Sequence, residues 1–225
     1  MHKHVIVPDS AKSPEDAPAR APHPLIGAQF VVAAAEPSQF PPPGPPEIAF
    51  AGRSNAGKSS AINALATRNR LAFASRTPGR TQQIVFFSLA GGGYVADLPG
   101  YGYAAVPKDV KEQWQEFLWG YVTTRPTLVA LVAMIDSRRG LKESDEALLN
   151  GFLPSGRPVL LLATKIDKLT ATERRAALTA IRTRIDSAFA AFAPQVGLIG
   201  FSALRREGID EADRAIAGFL TPSAA

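Results

Sequence analysis

The chain contains no cysteine. That excludes a disulfide framework and a metal centre built on thiolates. Histidine is scarce: there are three in all, His2, His4 and His23, within the first 23 residues. His2 and His4 form a His-x-His pair, which can bind metal, but a solvated pair on a tail is the expectation. No apolar run approaches the roughly 20 residues needed to cross a bilayer. The opening "MHKHVIVPDS" has a three-residue apolar run, against the roughly 7–15 residues at the core of a secretory leader. The expected compartment is the cytoplasm, with no membrane partner.

What is present is the composition of a soluble globular domain. The 225 residues are 46% hydrophobic and 20% charged, enough for one sizeable core. The net charge is +5. Residues 1–46 hold three Lys/Arg against four Asp/Glu, so the positive charge belongs to the remainder. A basic folded part favours nucleic acid or another anionic surface. Residues 1–24 are rich in Pro, Ala and charge without an apolar period, and read as a disordered tail. A single domain is expected over 25–225. "AQFVVAAA" (28–35) reads as a short strand or an ordered lead-in. "PSQFPPPGPPE" (37–47) holds too many prolines for a regular element and reads as an extended connector.

From Glu47 the pattern is regular. "IAFA" is a short apolar strand and "SSAINALA" begins a helix. "TQQIVFFSL" and "YVADL" flank "AGGG" and read as an antiparallel hairpin. Trp114, Phe117, Leu118 and Tyr121 fall on one helical face. "LVALVAMI" and "PVLLLATK" are continuously apolar, as expected of strands buried on both sides in a parallel sheet. "TATERRAALTAIRTRIDSAF" opens on a Thr-x-x-Glu capping signal at Thr170 and Glu173. "VGLIGFSA" and "GIDEADRAIAGFL" supply a last strand and helix. Strands alternating with helices predict an α/β fold: a doubly wound, mostly parallel sheet with one antiparallel edge strand and helices on both faces.

Residues 52–59, "GRSNAGKS", match G-x-x-x-x-G-K-[ST] between a strand and a helix. Gly52 and Gly57 permit the tight bend that brings backbone N–H groups against phosphate oxygens. The loop thus offers Arg53, Ser54, Asn55 and Ala56 as contacts. The following helix adds its positive end. Lys58 supplies a point charge for the β- and γ-phosphates, and Ser59 a hydroxyl for Mg²⁺. ATPases, kinases and GTPases share this loop, so the base must be read elsewhere.

"DLPG" places Asp97 at a strand end, where a carboxylate reaching Mg²⁺ through water belongs. Leu98 and Pro99 lead to Gly100, whose N–H can meet the γ-phosphate. "TKID" comprises Thr164, Lys165, Ile166 and Asp167. Lys165 can lay its aliphatic stem over a purine. Asp167 can accept from the N1–H and exocyclic amine of guanine, a donor pair that adenine lacks. "FSA" (Phe201, Ser202, Ala203) closes the last strand, where a backbone N–H can meet the guanine O6.

The motif order, each at a strand end, resembles the Era-like branch of the translation-factor-related GTPases. The closer likeness is to the EngB (YihA/YsxC) family of bacterial ribosome-assembly GTPases. It is carried by "PEIAFAGRSNAGKSSAIN", "TPGRTQ", "DLPGYGYA", "LKESD" and "TKIDKL", and spans about residues 28 to 220. The resemblance implies a P-loop GTPase domain that holds GTP or GDP on residues 52–59. It implies Ser59 and Thr81 as the two Mg²⁺ ligands, Thr81 being preferred to Thr77 by the Pro-Gly-x-Thr pattern. "SRTPGRTQQ" (75–83), with Gly79, Arg80, Thr81, Gln82 and Gln83 at the nucleotide, is the implied first switch, and "DLPGYGYA" the second. The class orders such segments through the γ-phosphate.

Tyr101 stands where Ras-like GTPases carry a water-orienting glutamine, which implies slow intrinsic hydrolysis raised from outside. Lys58, Thr81 and Asn55 are the implied catalytic set. Asn55 is there because, in related GTPases, asparagine at this loop position helps hold K⁺ near the phosphates. Departures from the family pattern are Val85 for a frequent asparagine, Ala203 for a frequent second serine, and Thr164 in place of asparagine.

Basic residues gather at Arg68, Arg70, Arg76 and Arg80, at Arg138, Arg139 and Lys142, and along Arg174, Arg175, Arg182 and Arg184. Phosphate contacts supply affinity for RNA irrespective of sequence. The resemblance points to the large ribosomal subunit during assembly, with a link to cell division and septation, in a monomeric protein. A guanine-nucleotide-dependent scaffold for division proteins is the alternative. A phosphotransferase on the same loop is disfavoured by Asp167.

Overall fold

The computed structural model describes residues 23–68, 70–72, 83–101 and 108–221, and of the side chains of 108–115 nothing is stated. Seven strands form one sheet: β1 (Gln29–Ala34), β2 (Glu47–Gly52), β3 (Ile84–Ser88), β4 (Tyr94–Asp97), β5 (Leu128–Asp136), β6 (Val159–Thr164) and β7 (Val196–Gly200). Five α-helices accompany them among the described residues: α1 (Lys58–Leu65), α2 (Lys108–Thr124), α3 (Glu143–Phe152), α4 (Ala171–Ala188) and α5 (Ile209–Leu220).

The strand order is β1-β3-β4-β2-β5-β6-β7. β4, β2, β5, β6 and β7 pair in parallel. Among the described strands, antiparallel pairing within the sheet lies at one edge, where β3 runs against both β4 and β1. β1 lies in the stretch expected to be a strand or lead-in. The expected hairpin is β3–β4.

The central strands carry no polar face because both faces are covered. Ala49, Ala51, Leu131, Ala133, Ile135 and Leu161 meet Tyr121, Phe152, Ile181 and Ile185 of α2, α3 and α4. Their neighbours Ile48, Phe50, Val132, Met134 and Leu162 meet Ile62 and Leu65 of α1 and Ile209 and Ile216 of α5. Successive strand residues point to opposite faces, so one continuous apolar run feeds two cores. On α2, Tyr121 is buried and Phe117 and Leu118 pack against the same core. The fourth member of the expected stripe, Trp114, falls among the undescribed side chains. α4 opens as expected, with Thr170 and Glu173 exchanging bonds: the Thr170 N–H to Glu173 Oε2 at 2.8 Å and the Glu173 N–H to Thr170 Oγ1 at 3.4 Å.

The proline-rich connector contains one short 3₁₀ turn, Pro37–Gln39. Proline's fixed φ suits the first position of such a turn. Phe40 then anchors the connector against Phe86, Phe117 and Tyr121, at ring separations of 5.6, 5.6 and 5.3 Å. Glu47, fully buried, accepts from Tyr121 Oη at 2.9 Å, Thr127 Oγ1 at 2.7 Å and Arg125 Nε at 2.9 Å. Arg125 Nη2 also reaches the Pro41 carbonyl at 2.6 Å. This clasp lies at the start of β2, the opposite end from the glycine-rich loop. His23 packs on α5, its Nδ1 2.5 Å from the buried Asp213 carboxylate.

Candidate functional site

β2 sits at the point where the strand order reverses, with β4 on one side and β5 on the other. In open α/β sheets the crevice beyond the strand ends at such a point is where ligands bind. Residues 53–57 leave β2 there and turn into α1. Asn55 is exposed at φ 64° and Gly57 is at φ 98°. Gly57 requires its residue type because its φ is strained for any side chain; an added Cβ would make only an ordinary contact with Thr164. Lys58 and Ser59 follow in the first turn of α1.

Thr164, at the end of β6, ties the two halves of the site together. Its hydroxyl donates to the Ala56 carbonyl at 2.5 Å and lies 3.2 Å from the Ile135 carbonyl. Lys165 is held at φ 61°, with Nζ 2.5 Å from the Asn55 carbonyl and 3.0 Å from Asp136 Oδ2. Asp167 Oδ1 accepts from Ser202 Oγ at 2.7 Å. That hydroxyl bond, outweighing burial, keeps the Asp167 carboxyl below its usual range, so it stands ionised as an acceptor. Ser202 is fully buried, and the Phe201 N–H is spent on the Ala163 carbonyl at 2.8 Å. Ala203 follows directly in the chain.

Asp97 ends β4 in register with Phe50 of β2. It is buried, and its carboxylate pairs with the Lys58 ammonium. Burial raises its pKa and Lys58 opposes the rise. The Leu98 N–H bonds the Phe50 carbonyl at 2.9 Å, so the chain continues alongside β2 through Pro99 and Gly100. Tyr101 forms a parallel bridge with Arg53.

Of the residues implied for the first switch, 79–82, including Thr81, lie outside the described residues. So do Thr77, Arg76 and Arg80. Gln83 is exposed just before β3.

Sequence reasoning did not single out Asp136. It ends β5, is 4% exposed, and binds Arg138 as well as Lys165. Burial raises its pKa, but the bonds from Arg138 and Lys165 more than reverse this and hold it well below the usual range. Its position at the end of the central strand was the available signal. Several arginines expected to form basic faces carry carboxylate partners: Arg138 pairs with Asp136, Arg174 with Glu207, Arg182 with Asp186 and Arg184 with Glu146. The field of these faces is weaker than the count of arginines suggests. No helix of the described residues is long and apolar enough to cross a membrane.

Residues 47–165, which hold the loop, Asp97 and Thr164, match the family model described as 50S ribosome-binding GTPase. A protein of Azoarcus sp. (strain BH72) named "Probable GTP-binding protein EngB" is 49% identical over 198 residues, 88% of this chain and 93% of its own. The Burkholderia thailandensis protein of the same name is 48% identical, covering 83% of this chain and 87% of its own. Among solved structures, "a probable GTP-binding protein engB" superposes with a TM-score of 0.61 at 21% identity, over 77% of this chain and 98% of that one. Aquifex aeolicus Era does so at 0.61 and 22%, over 79% and 57%. At these identities the structures attest the fold. The family model and the relatives decide the rest: the chain is a GTPase and belongs to the EngB family of GTP-binding proteins.

Proposed function

We propose that the chain is a Mg²⁺-dependent GTP switch acting in assembly of the large ribosomal subunit, with a consequent link to cell division. The observation that carries the nucleotide placement is the Thr164–Ala56 bond. It joins the loop that would wrap the phosphates to the loop bearing the guanine-selecting Asp167. The residues fit magnesium, a hard cation bound by few protein oxygens plus phosphate. Ser59 in the first turn of α1 would be a ligand, Asp97 would reach the ion through water, and Thr81 would join only with the γ-phosphate. When bound, the ion neutralises charge developing on the transferred phosphoryl group.

The chain's own residues do the positioning. The backbone of 52–57 binds the phosphates and Lys58 bridges them. Asp136 orients Lys165 along the base, and Ser202 orients Asp167 toward its edge. Tyr101 does not supply a water-orienting amide, so slow turnover is expected. Asn55 is the candidate K⁺-holding residue, and equal turnover in K⁺ and Na⁺ would remove that role.

The ribosomal partner is supported by the description of the matched family, the 50S ribosome-binding GTPases, and by a net charge of +5 concentrated in the folded part. The test is co-sedimentation with purified ribosomal particles in GTP and in GDP. Nucleotide-dependent association with the large subunit that weakens as salt rises is expected. Association indifferent to nucleotide, or none, would overturn the reading.

A further inference from the structure

Asp145 lies in the first turn of α3 and is fully buried. A carboxylate there that served only the helix end would need no burial. One bond does serve the helix: Oδ2 accepts from the Lys142 N–H at 2.9 Å. The others come from the candidate site. Arg53 Nε, from the phosphate loop, lies 3.1 Å from Oδ2, and Tyr101 Oη donates to Oδ1 at 2.9 Å. Burial pushes the carboxyl's pKa up while these donors oppose it.

The two residues Asp145 grips are already neighbours along the backbone. The Ser54 N–H bonds the Tyr101 carbonyl at 3.1 Å, and the Tyr101 N–H reaches the Gly52 carbonyl at 3.3 Å. Between them Gly100 is pressed against the loop. A Cβ built on it would lie 2.9 Å from Ser54 Oγ and 3.3 Å from Ser54 Cα and N. Residues 52–54 and 100–101 therefore make one tight seam, closed by backbone bonds inside and by a buried carboxylate outside. The Tyr101 ring is committed to that closure, its hydroxyl aimed at α3.

We infer that Asp145 is a positioning residue: through Tyr101 and Arg53 it fixes where the Gly100 N–H stands relative to the phosphate loop, and so sets how strongly the site prefers a nucleoside triphosphate to a diphosphate. The inference rests on the proposed placement of the phosphates at residues 52–59 and of the γ-phosphate at Gly100. A diphosphate needs only the loop. A triphosphate also needs Gly100 in register, so loosening the seam penalises it selectively.

The experiment is equilibrium titration of the full chain with fluorescent GDP and a fluorescent non-hydrolysable GTP analogue, on wild type, Tyr101→Phe, Asp145→Asn and the double variant, with melting temperatures alongside. Tyr101→Phe removes one hydroxyl and keeps the ring, so it decides the matter even where Asp145→Asn folds poorly. Expected for Tyr101→Phe is an unchanged GDP affinity, with the triphosphate weakened about fivefold to tenfold, the net worth of one ordinary hydrogen bond. The double variant should lose less than the two single losses multiplied, as for residues acting through one contact. Equal weakening of both nucleotides, or an unchanged triphosphate affinity, would overturn the inference. A Lys58→Ala control separates the two levels. If it binds GDP as tightly as wild type, the phosphate placement falls and the inference with it. If it loses GDP while Tyr101→Phe keeps its triphosphate preference, only the inference falls.

Discussion

Replacing Thr164 by valine keeps the shape of a side chain that is 3% exposed and removes its hydroxyl. The hydroxyl has one proton and two carbonyls in reach, Ala56 at 2.5 Å and Ile135 at 3.2 Å. The shorter contact marks Ala56 as the acceptor. Losing one buried hydrogen bond costs about 1 kcal/mol, and leaving a buried carbonyl without its partner adds about 1–2 kcal/mol. No cavity is created, so a loss of about 2–3 kcal/mol is expected. In a domain of this size that lowers the melting temperature by roughly 4–12 °C. Because the bond anchors the loop before α1, GDP and GTP affinity should fall together, unlike the selective loss expected at Tyr101. Urea denaturation without nucleotide, and GDP titration, read both effects. Thr164→Ser supplies the control: it keeps the hydroxyl and loses only a methyl group, so it should be the more stable and the tighter-binding of the two. A Thr164→Val protein within a few tenths of a kcal/mol of wild type, or a serine variant worse than the valine one, would refute the reasoning.

Three further outcomes follow from the same contacts. Asp167→Asn exchanges an acceptor-only carboxylate for an amide at the position proposed to face guanine's donor pair, and GTP affinity should fall by more than about a hundredfold, with little change in melting temperature. Arg125→Ala strands the fully buried Glu47 carboxylate. A loss of about 3–5 kcal/mol in urea denaturation is expected for breaking a buried ion pair from one side, moderated by Tyr121 and Thr127, with GDP affinity unchanged because the clasp lies at the far end of β2. Asp136→Asn carries a pH signature. The folded-state pKa is depressed below the ordinary 3.8, so the carboxylate's contribution is fully present above that value and is lost as pH falls through the folded one. The variant should be less stable than wild type at pH 7, and the gap should close below pH 3.8; a gap that widened on acidification would contradict this.

The alternation of apolar strands and amphipathic helices was legible along the chain because each element's period reports its own burial. The uninterrupted apolar runs of β5 and β6 already required cover on both faces. "GRSNAGKS", "DLPG" and "TKID" were legible because each chemistry needs its residue types at close spacing within one loop. That local density makes a nucleotide site readable before any contact is known. The proline connector was readable as extended, but its one 3₁₀ turn and the anchoring of Phe40 depend on rings from β3 and α2.

Reading along the chain is enough to find the candidate guanine-nucleotide loops and the order in which strands deliver them. Tertiary structure alone decided which distant residues lock those loops together. Thr164 and Ala56 are 108 residues apart, Arg53 and Asp145 are 92, and Glu47 and Arg125 are 78. A buried carboxylate or hydroxyl takes whichever donor or acceptor the packing brings to it, and that choice leaves no local period or spacing in the chain. Asp136 and Asp145 acquired their roles only when β5 and α3 came to rest beside the loops they hold.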